Sequence, residues 1–319
     1  MDRPKLDPEI ATFVAEMSSA WASHPPFMTQ PLDEARAVAE LVRAPWRAGG
    51  PEMLRTEEHL VPTATGPLRI RVYDPGLASP APALVYLHGG GFTLFSIDTH
   101  DRLMREYAAA GEFIVIGVDY PLSPEARYPK ALDQVIALVD WLAGEGAATT
   151  GIDPARIAIG GDSAGGNLSV ATALRLRDRG TPGMLRGLLL NYGAFGLECS
   201  DEAEMRFGGP GSVLDRAEVD YYFGNYVGAE GLASADSYVA PLLADLADLP
   251  PAFLAIPECD ILSEQSHAMA LRMEAAGVDV TSIVYPGATH SFLEAMSIAS
   301  VARRAIADGA AWVKGVLAA

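Results

Sequence analysis

The sequence predicts an α/β fold in which helices cover both faces of a mostly parallel, doubly wound sheet. Short apolar runs at residues 83–87, 113–119 and 186–191 have the length and composition of strands buried on both faces. Segments with helical spacing of apolar residues separate these runs, as at residues 130–142. Strands that alternate with helices along a chain favour parallel pairing through right-handed crossovers.

The first 50 residues are predicted to form a helical segment. Apolar residues recur at helical spacing from Leu6 to Met17 and again from Leu32 to Val42. Helices this short cannot bury an apolar face alone, so they must pack on another part of the chain. The sequence leaves open whether residues 1–50 cover a site or only pack on the core.

Residues 51–195 are predicted to form the first part of the core. Residues 68–73 alternate between apolar and polar side chains, which predicts an edge strand with one exposed face. The strands and helices that follow alternate regularly up to residue 191. The predicted strands are residues 83–87, 113–119, 156–159 and 186–191, and the predicted helices are residues 99–110, 130–142 and 168–176.

Residues 196–237 interrupt this alternation with a stretch rich in aromatic and acidic residues, and we predict a short helical insertion there. The alternation resumes in residues 238–319, the second part of the core. Its predicted strands are residues 252–257 and 280–285, and its predicted helices are residues 263–276 and 297–316.

The composition restricts the classes of partner. The 319 residues include 23 basic and 41 acidic side chains, and the net charge of −18 argues against binding to nucleic acid or to an anionic membrane surface. No apolar run is long enough to span a bilayer, and the N-terminal residues lack the apolar stretch of a signal peptide, so a cytoplasmic location is expected. Two cysteines, Cys199 and Cys259, lie outside any metal-binding pattern and are predicted to be buried thiols.

The pattern Gly161-x-Ser163-x-Gly165 lies between a predicted strand and a predicted helix. In that setting it is typical of a nucleophile elbow, which holds the serine hydroxyl exposed on a tight turn where only small neighbours fit. On the pattern alone, a glycine-rich turn with Ser163 as a helix N-cap is equally compatible.

A serine nucleophile needs a general base, and the base needs an acid that orients it. Of the six histidines, His290 alone follows a late strand in a loop, whereas His267 falls within a predicted helix. Asp260 closes the strand at residues 252–257, at the edge where open α/β sheets place their sites. Glu258 is the alternative acid.

Stabilisation of an oxyanion needs backbone N–H groups that point at one position. The run His88-Gly89-Gly90-Gly91 follows a buried strand and lets the backbone approach a substrate closely, with the N–H of Ala164 as a further donor. Taken alone, such a run is a flexible turn. A phosphate site would need a lysine or a helix start that is absent here. Asp162 lies beside Ser163, and a structural hydrogen bond is its expected role.

Together these motifs resemble those of the hormone-sensitive-lipase family of α/β-hydrolases, the bacterial family IV esterases. The resemblance rests on His88-Gly89-Gly90-Gly91 upstream of Gly161-Asp162-Ser163-Ala164-Gly165, the branch with the GDSAG elbow. It extends to the segment around Pro121-Leu122-Ser123-Pro124-Glu125, which is similar to a form found in bacterial acetyl esterases. Ile261 and Ser291 depart from the family pattern, which usually has proline and glycine at these two positions.

The resemblance implies an eight-stranded α/β-hydrolase sheet with no cofactor and no metal. It also implies a helical cap built from the N-terminal cap segment, residues 1–50, and the cap insertion, residues 196–237. It implies Ser163 as nucleophile, His290 as base and Asp260 as acid, and it also makes a homodimer plausible. The implied oxyanion donors are Gly90, Gly91 and Ala164.

We therefore predict a carboxylesterase that hydrolyses small-molecule esters with short, acetyl-like acyl groups through an acyl-enzyme. An amidase or deacetylase could use the same triad, and a ligand-binding protein on this fold without catalysis is a further alternative. Several aromatic side chains are candidates for the substrate pocket, with ordinary core packing as the alternative for each. They are Phe92, Phe95, Tyr192, Phe195, Phe207 and Phe292.

Overall fold

The computed structural model describes residues 4–209, 211–232 and 236–319. Residues 1–3 of the predicted N-terminal segment, and residues 210 and 233–235 of the predicted insertion, lie outside this range. The described strands are β1 (Arg55–Val61), β2 (Leu68–Asp74), β3 (Ala81–Leu87), β4 (Ile114–Asp119), β5 (Ile152–Asp162), β6 (Leu188–Asn191), β7 (Ala252–Cys259) and β8 (Val280–Thr289). The described helices are α1 (Pro8–Ala22), α2 (Leu32–Arg47), α3 (Asp101–Gly111), α4 (Lys130–Leu142), α5 (Glu145–Thr150), α6 (Ala164–Asp178), α7 (Asp201–Phe207), α8 (Arg216–Leu232), α9 (Ser263–Ala275) and α10 (Ser300–Ala318).

Within the described residues the strands form one eight-stranded sheet in the order β1-β2-β4-β3-β5-β6-β7-β8. The β1–β2 and β2–β4 pairs are antiparallel, and β3 to β8 pair in parallel. The predicted fold class, a mostly parallel doubly wound sheet, is confirmed. Helices on both faces bury the parallel part of the sheet, as such sheets require.

The side chains of β3 show how the two faces divide the core. Val85 and Leu87 pack into the layer that contains α4 and α6, whereas Leu84 and Tyr86 pack into the layer that contains α3 and α10. Successive residues of a strand point to opposite faces, so a strand buried on both sides must be apolar throughout. The sheet is therefore covered on both faces.

Two predictions about the strands were wrong. Residues 68–73 do not form an edge strand, because β2 pairs with β4 on one side and with β1 on the other. The predicted loop before His290, residues 286–289, belongs to β8, which extends to Thr289. The pairing of β8 with β7 shifts register between Pro257 and Cys259 of β7. His290 therefore follows directly from a strand end.

One predicted helix begins later in the structure, and another helix was missed. The predicted helix at residues 297–316 begins at Ser300, because residues 292–297 form a 3₁₀ turn first. Helix α5 was not predicted. Its six residues are too few to show helical periodicity.

The N-terminal segment is held on the core at both of its helices. Asp7 caps α1 by accepting hydrogen bonds from the N–H groups of Glu9 and Ile10. Arg36 of α2 pairs with both carboxylate oxygens of Glu125, at 2.9 and 2.8 Å, and also donates to the Ser123 carbonyl. The Ser123-Pro124-Glu125 segment singled out in the sequence thus anchors α2 on the core.

The N-terminal segment meets the insertion through aromatic side chains. Phe27, which follows α1, stacks on Tyr222 of α8 with ring centroids 5.8 Å apart, and Trp21 lies 5.7 Å from the Phe27 ring. We call Trp21, Phe27 and Tyr222 the aromatic wall. No helix of the described ranges is both long and apolar enough to cross a bilayer.

Candidate active site

Ser163 occupies a strained turn between β5 and α6. Its backbone has φ 52° and ψ −116°, a conformation that side chains rarely adopt. A Cβ atom at Gly161 or Gly165 would collide with the carbonyl oxygen of Leu87, so both positions require glycine. This is the strand, turn and helix geometry of a nucleophile elbow.

His290 lies within hydrogen-bonding distance of the serine. Its Nε2 is 3.0 Å from Oγ of Ser163, and its Nδ1 is 2.8 Å from Oδ2 of Asp260. These distances suit proton transfer from the hydroxyl to a base that a carboxylate orients. The solvent-exposed fraction is 8% for Ser163 and 6% for His290, so both residues are nearly enclosed.

Asp260 and the alternative acid Glu258 have different surroundings. Asp260 follows β7, is buried, and accepts a hydrogen bond from the Leu262 N–H at 3.0 Å through Oδ1. This leaves Oδ2 for His290. Glu258 is exposed and accepts from the Gly287 N–H at 2.9 Å, away from the imidazole. His267 lies within α9, as predicted.

The carboxylate of Asp162 stabilises the glycine-rich loop through a hydrogen bond to its backbone. Its Oδ1 accepts hydrogen bonds from Tyr86 Oη at 3.0 Å and from the Gly89 N–H at 3.1 Å, and its Oδ2 lies 3.3 Å from His100 Nε2. Burial alone would raise the pKa of Asp162, but His100 and Tyr86 hold it below its ordinary value. A side chain on Gly89 would collide with this carboxylate.

His88 supports the same loop. Its ring stacks on Tyr120 with centroids 4.3 Å apart, and its Nδ1 lies 2.7 Å from the Gly89 carbonyl oxygen. Burial, together with the neighbouring charge of His100, lowers the pKa of His88 to about 4. The imidazole is therefore neutral at neutral pH, and its contacts indicate a structural role.

Gly90 and Gly91 bring the loop backbone to the serine. Their φ values of 113° and 59° are positive, which favours glycine. Both residues line the same cavity as Ser163 and Ala164, the third candidate donor of an oxyanion hole. A Cβ on Gly91 would collide with the ring of Tyr222.

Replacement of Gly91 by alanine is expected to reduce kcat about a hundredfold, because the new methyl group must displace either the Tyr222 ring or the donor N–H. Initial rates with p-nitrophenyl acetate measure the effect. Gly180→Ala is the matched control, because Gly180 also has a positive φ of 86° but open surroundings. Equal losses in the two variants would contradict a specific role for the Gly91 backbone.

A cavity of about 340 Å³ lies over the serine between the core, the N-terminal segment and the insertion. The aromatic wall forms one side of it, so α1 both packs on the core through Phe13 and covers the site through Trp21. The two alternatives that the sequence left open for the N-terminal segment therefore both apply.

Of the six aromatic pocket candidates, the structure places Phe92 and Phe95 in the cavity lining. The other four need correction, because their rings pack elsewhere. Tyr192 and Phe292 are fully buried beside one another behind His290, and Phe195 is fully buried in the opposite core layer. Phe207, at the end of α7, packs against Arg206.

Sequence reasoning missed three charged residues of the cavity lining: Arg43, Glu218 and Glu294. Arg43 of α2 forms a buried ion pair with Glu294 and places its guanidinium over the Phe95 ring, 4.6 Å from the centroid. Glu218 lies in the first turn of α8, next to Tyr221-Tyr222-Phe223, and those aromatic residues were the available signal in the sequence.

The three side chains Ser163, Asp260 and His290 stand in this chain order at the carboxyl ends of β5, β7 and β8, beside a loop of backbone donors. A sheet and site of this kind define a serine hydrolase of the α/β-hydrolase fold. The model of a family described by its α/β-hydrolase fold matches residues 84–294.

Solved structures point to the same group. A hyperthermophilic esterase from the archaeon Pyrobaculum calidifontis is 31% identical, with 99% of this chain and 100% of that chain covered and a TM-score of 0.91. A thermostable esterase from Pseudomonas putida is 27% identical, with 99% of both chains covered and a TM-score of 0.91. A thermostable carboxylesterase cloned from a metagenomic library is 29% identical, with 90% of this chain and 98% of that chain covered and a TM-score of 0.85.

The chain belongs to this α/β-hydrolase family and, within it, to the hormone-sensitive-lipase branch of family IV esterases, which are carboxylic ester hydrolases. The resemblance and the enzyme class predicted from the sequence are confirmed.

Proposed function

We propose that the protein hydrolyses carboxylic esters with short acyl chains, and that Ser163, His290 and Asp260 are its catalytic residues. The observation that supports this most directly is the hydrogen-bonded chain from Ser163 Oγ to His290 Nε2 and from His290 Nδ1 to Asp260 Oδ2. Ser163 and His290 of this hydrogen-bonded series lie at the floor of a cavity open to a small molecule.

The first half of the reaction acylates the serine. As Ser163 Oγ attacks the ester carbonyl carbon, its proton passes to His290 Nε2, and the carbonyl oxygen becomes an oxyanion. The N–H groups of Gly90, Gly91 and Ala164 stabilise that charge. Asp260 stabilises the imidazolium, which then gives its proton to the leaving alcohol as the carbon–oxygen bond breaks.

The second half returns the enzyme to its starting state. Water enters beside the acyl-enzyme, His290 takes one of its protons, and the resulting hydroxide attacks the acyl carbon. A second tetrahedral oxyanion uses the same donors. When it collapses, the bond to Ser163 Oγ breaks, the serine recovers its proton from His290, and the carboxylic acid leaves.

The size of the cavity supports a preference for short acyl chains. Its volume of about 340 Å³ must hold both the acyl and the alcohol portions of an ester. That value is near the lower end of the roughly 300–1,000 Å³ found for small-molecule pockets. The aromatic wall and the N-terminal segment close the side away from the sheet, which limits the length of chain that fits.

Initial rates with p-nitrophenyl esters from acetate to palmitate test this preference. We expect kcat/KM to be highest at two to four acyl carbons and to fall at least about tenfold by palmitate, since longer chains must leave the cavity. A maximum at long chains would contradict the acyl-length proposal. Activity on p-nitroacetanilide but on none of the esters would instead favour the amidase.

Two further expectations from the sequence stay predictions. We expect a homodimer, which size-exclusion chromatography with light scattering would show, and a cytoplasmic location, which cell fractionation would show.

A further inference from the structure

Glu218 differs from the other charged groups around the cavity because, among the described residues, no side chain of opposite charge forms an ion pair with it. Arg43 is paired with Glu294, and Asp162 lies beside His100. In the part of the chain that the structure describes, neither a lysine nor an arginine pairs with the Glu218 carboxylate. Glu218 is half-buried, and a carboxylate partly removed from water without a cation is costly, because the desolvation of its charge is not offset.

The position of Glu218 is fixed by the start of α8. The Asp215 N–H donates to Glu218 Oε2 at 3.0 Å, and the Glu218 N–H donates to Asp215 Oδ1 at 2.9 Å, a reciprocal capping box. This accounts for Oε2. Among the described residues, no hydrogen bond reaches Oε1, and the side chain lines the active-site cavity.

Aromatic rings line the same cavity as Glu218. Tyr222 lies one helical turn after Glu218, and its ring stacks on Phe27, which in turn contacts Trp21. All three rings line the cavity together with Glu218. A carboxylate beside several aromatic faces is the combination that attracts an organic cation, through its charge and through the ring quadrupoles. The net charge of −18 favours the approach of cations further.

We propose that Glu218 and the aromatic wall form a subsite for a cationic group, so that the enzyme prefers esters carrying an ammonium group over neutral esters of the same shape. This inference rests on the proposed ester hydrolysis at Ser163, because the subsite belongs to the same cavity. The cation of the substrate would supply the partner that the carboxylate lacks.

The ionisation of Glu218 makes the preference depend on pH. Burial raises the pKa of Glu218 to about 7. The hydrogen bond from the Asp215 N–H and the charge of His290 oppose this rise, while the charge of the Asp215 carboxylate adds to it. The other charged or titratable side chains that line the cavity are Tyr222, His290, Asp162 and the ion-paired Arg43 and Glu294. Below pH 7 the carboxyl group is mostly neutral and above pH 7 it is an anion, so the preference for cations rises with pH.

The test compares acetylcholine with 3,3-dimethylbutyl acetate, its neutral isostere. The measured quantity is kcat/KM for acetylcholine divided by kcat/KM for the neutral ester, both at pH 8. The wild-type value of this ratio includes any intrinsic difference in reactivity between the two esters. Glu218→Gln should lower this ratio about tenfold, because it removes the charge and keeps a side chain that can complete the capping box. Asp220→Asn changes the same net charge on an exposed position of α8 and should leave the ratio unchanged.

The pH profile provides a second readout. The wild-type ratio should rise between about pH 6 and pH 8, whereas the ratio of the Glu218→Gln variant should stay flat. Both substrates use the same triad, so its titration cancels in the ratio.

An unchanged ratio in Glu218→Gln, or an equal fall in Asp220→Asn, would overturn the cation subsite. p-Nitrophenyl acetate separates this outcome from failure of the proposed function. If that ester is hydrolysed and the ratio does not depend on Glu218, only the subsite is wrong. If that ester is not hydrolysed, the proposed function itself is wrong.

Discussion

Replacement of Ser163 by alanine is expected to lower kcat for p-nitrophenyl acetate by roughly a million-fold, the scale of loss when a triad nucleophile is removed. The reason is that Ser163 Oγ is the atom hydrogen-bonded to His290 Nε2 at 3.0 Å, and alanine leaves the base without a nucleophile to activate. The thermal unfolding temperature should change little, because the change removes a single atom from a nearly enclosed position.

Ser266→Ala is the control for this variant. Ser266 is also a buried serine, but it lies on α9 and its hydroxyl has no hydrogen-bond partner among the described residues. Its replacement should leave kcat unchanged. Retention of more than about one per cent of wild-type kcat by Ser163→Ala would show that another residue is the nucleophile.

Replacement of Asp260 by asparagine is expected to lower kcat by about ten-thousand-fold. The buried carboxylate accepts from the Leu262 N–H through Oδ1 and faces His290 Nδ1 through Oδ2 at 2.8 Å. An amide cannot stabilise the imidazolium and favours the wrong tautomer of His290. Steady-state kinetics with p-nitrophenyl acetate, together with circular dichroism to verify folding, measure this effect.

Glu258→Gln is the matched comparison, because Glu258 is the alternative acid that the sequence left open. Its side chain is exposed and contacts the Gly287 N–H rather than the imidazole, so its replacement should leave kcat within about twofold of wild type. A large loss in Glu258→Gln and a small loss in Asp260→Asn would reverse the assignment of the acid.

The parallel strands were predictable because burial on both faces makes them continuously apolar, as in β3 and β4. The edge strand β1 was not assigned, since most of its residues are exposed and polar. Its backbone pairs with β2, and ion pairs link the two strands, in which Glu58 contacts both Arg69 and Arg71 of β2. Pairs of this kind leave no periodic pattern of apolar residues.

The candidate catalytic residues could be proposed from sequence because each follows a strand end, and strand ends of a parallel sheet meet at one edge. The residues of the cavity lining could not be predicted from the sequence in the same way. Arg43 and Glu294 are 251 residues apart in sequence, and their pairing depends on how the N-terminal segment folds over the core. Tyr192 was a candidate for the pocket, yet its ring packs in the core behind His290.

Covalent labelling with diethyl p-nitrophenyl phosphate tests the central claim, that Ser163 is the activated nucleophile. Attack by Ser163 Oγ forms an oxygen–phosphorus bond and releases p-nitrophenolate, while the serine proton passes to His290. The account predicts one equivalent of p-nitrophenolate per chain, a diethylphosphoryl group on the peptide containing Ser163, and loss of esterase activity in proportion to labelling. Loss of activity with the label on a different residue, or full labelling of Ser163 with activity retained, would contradict it.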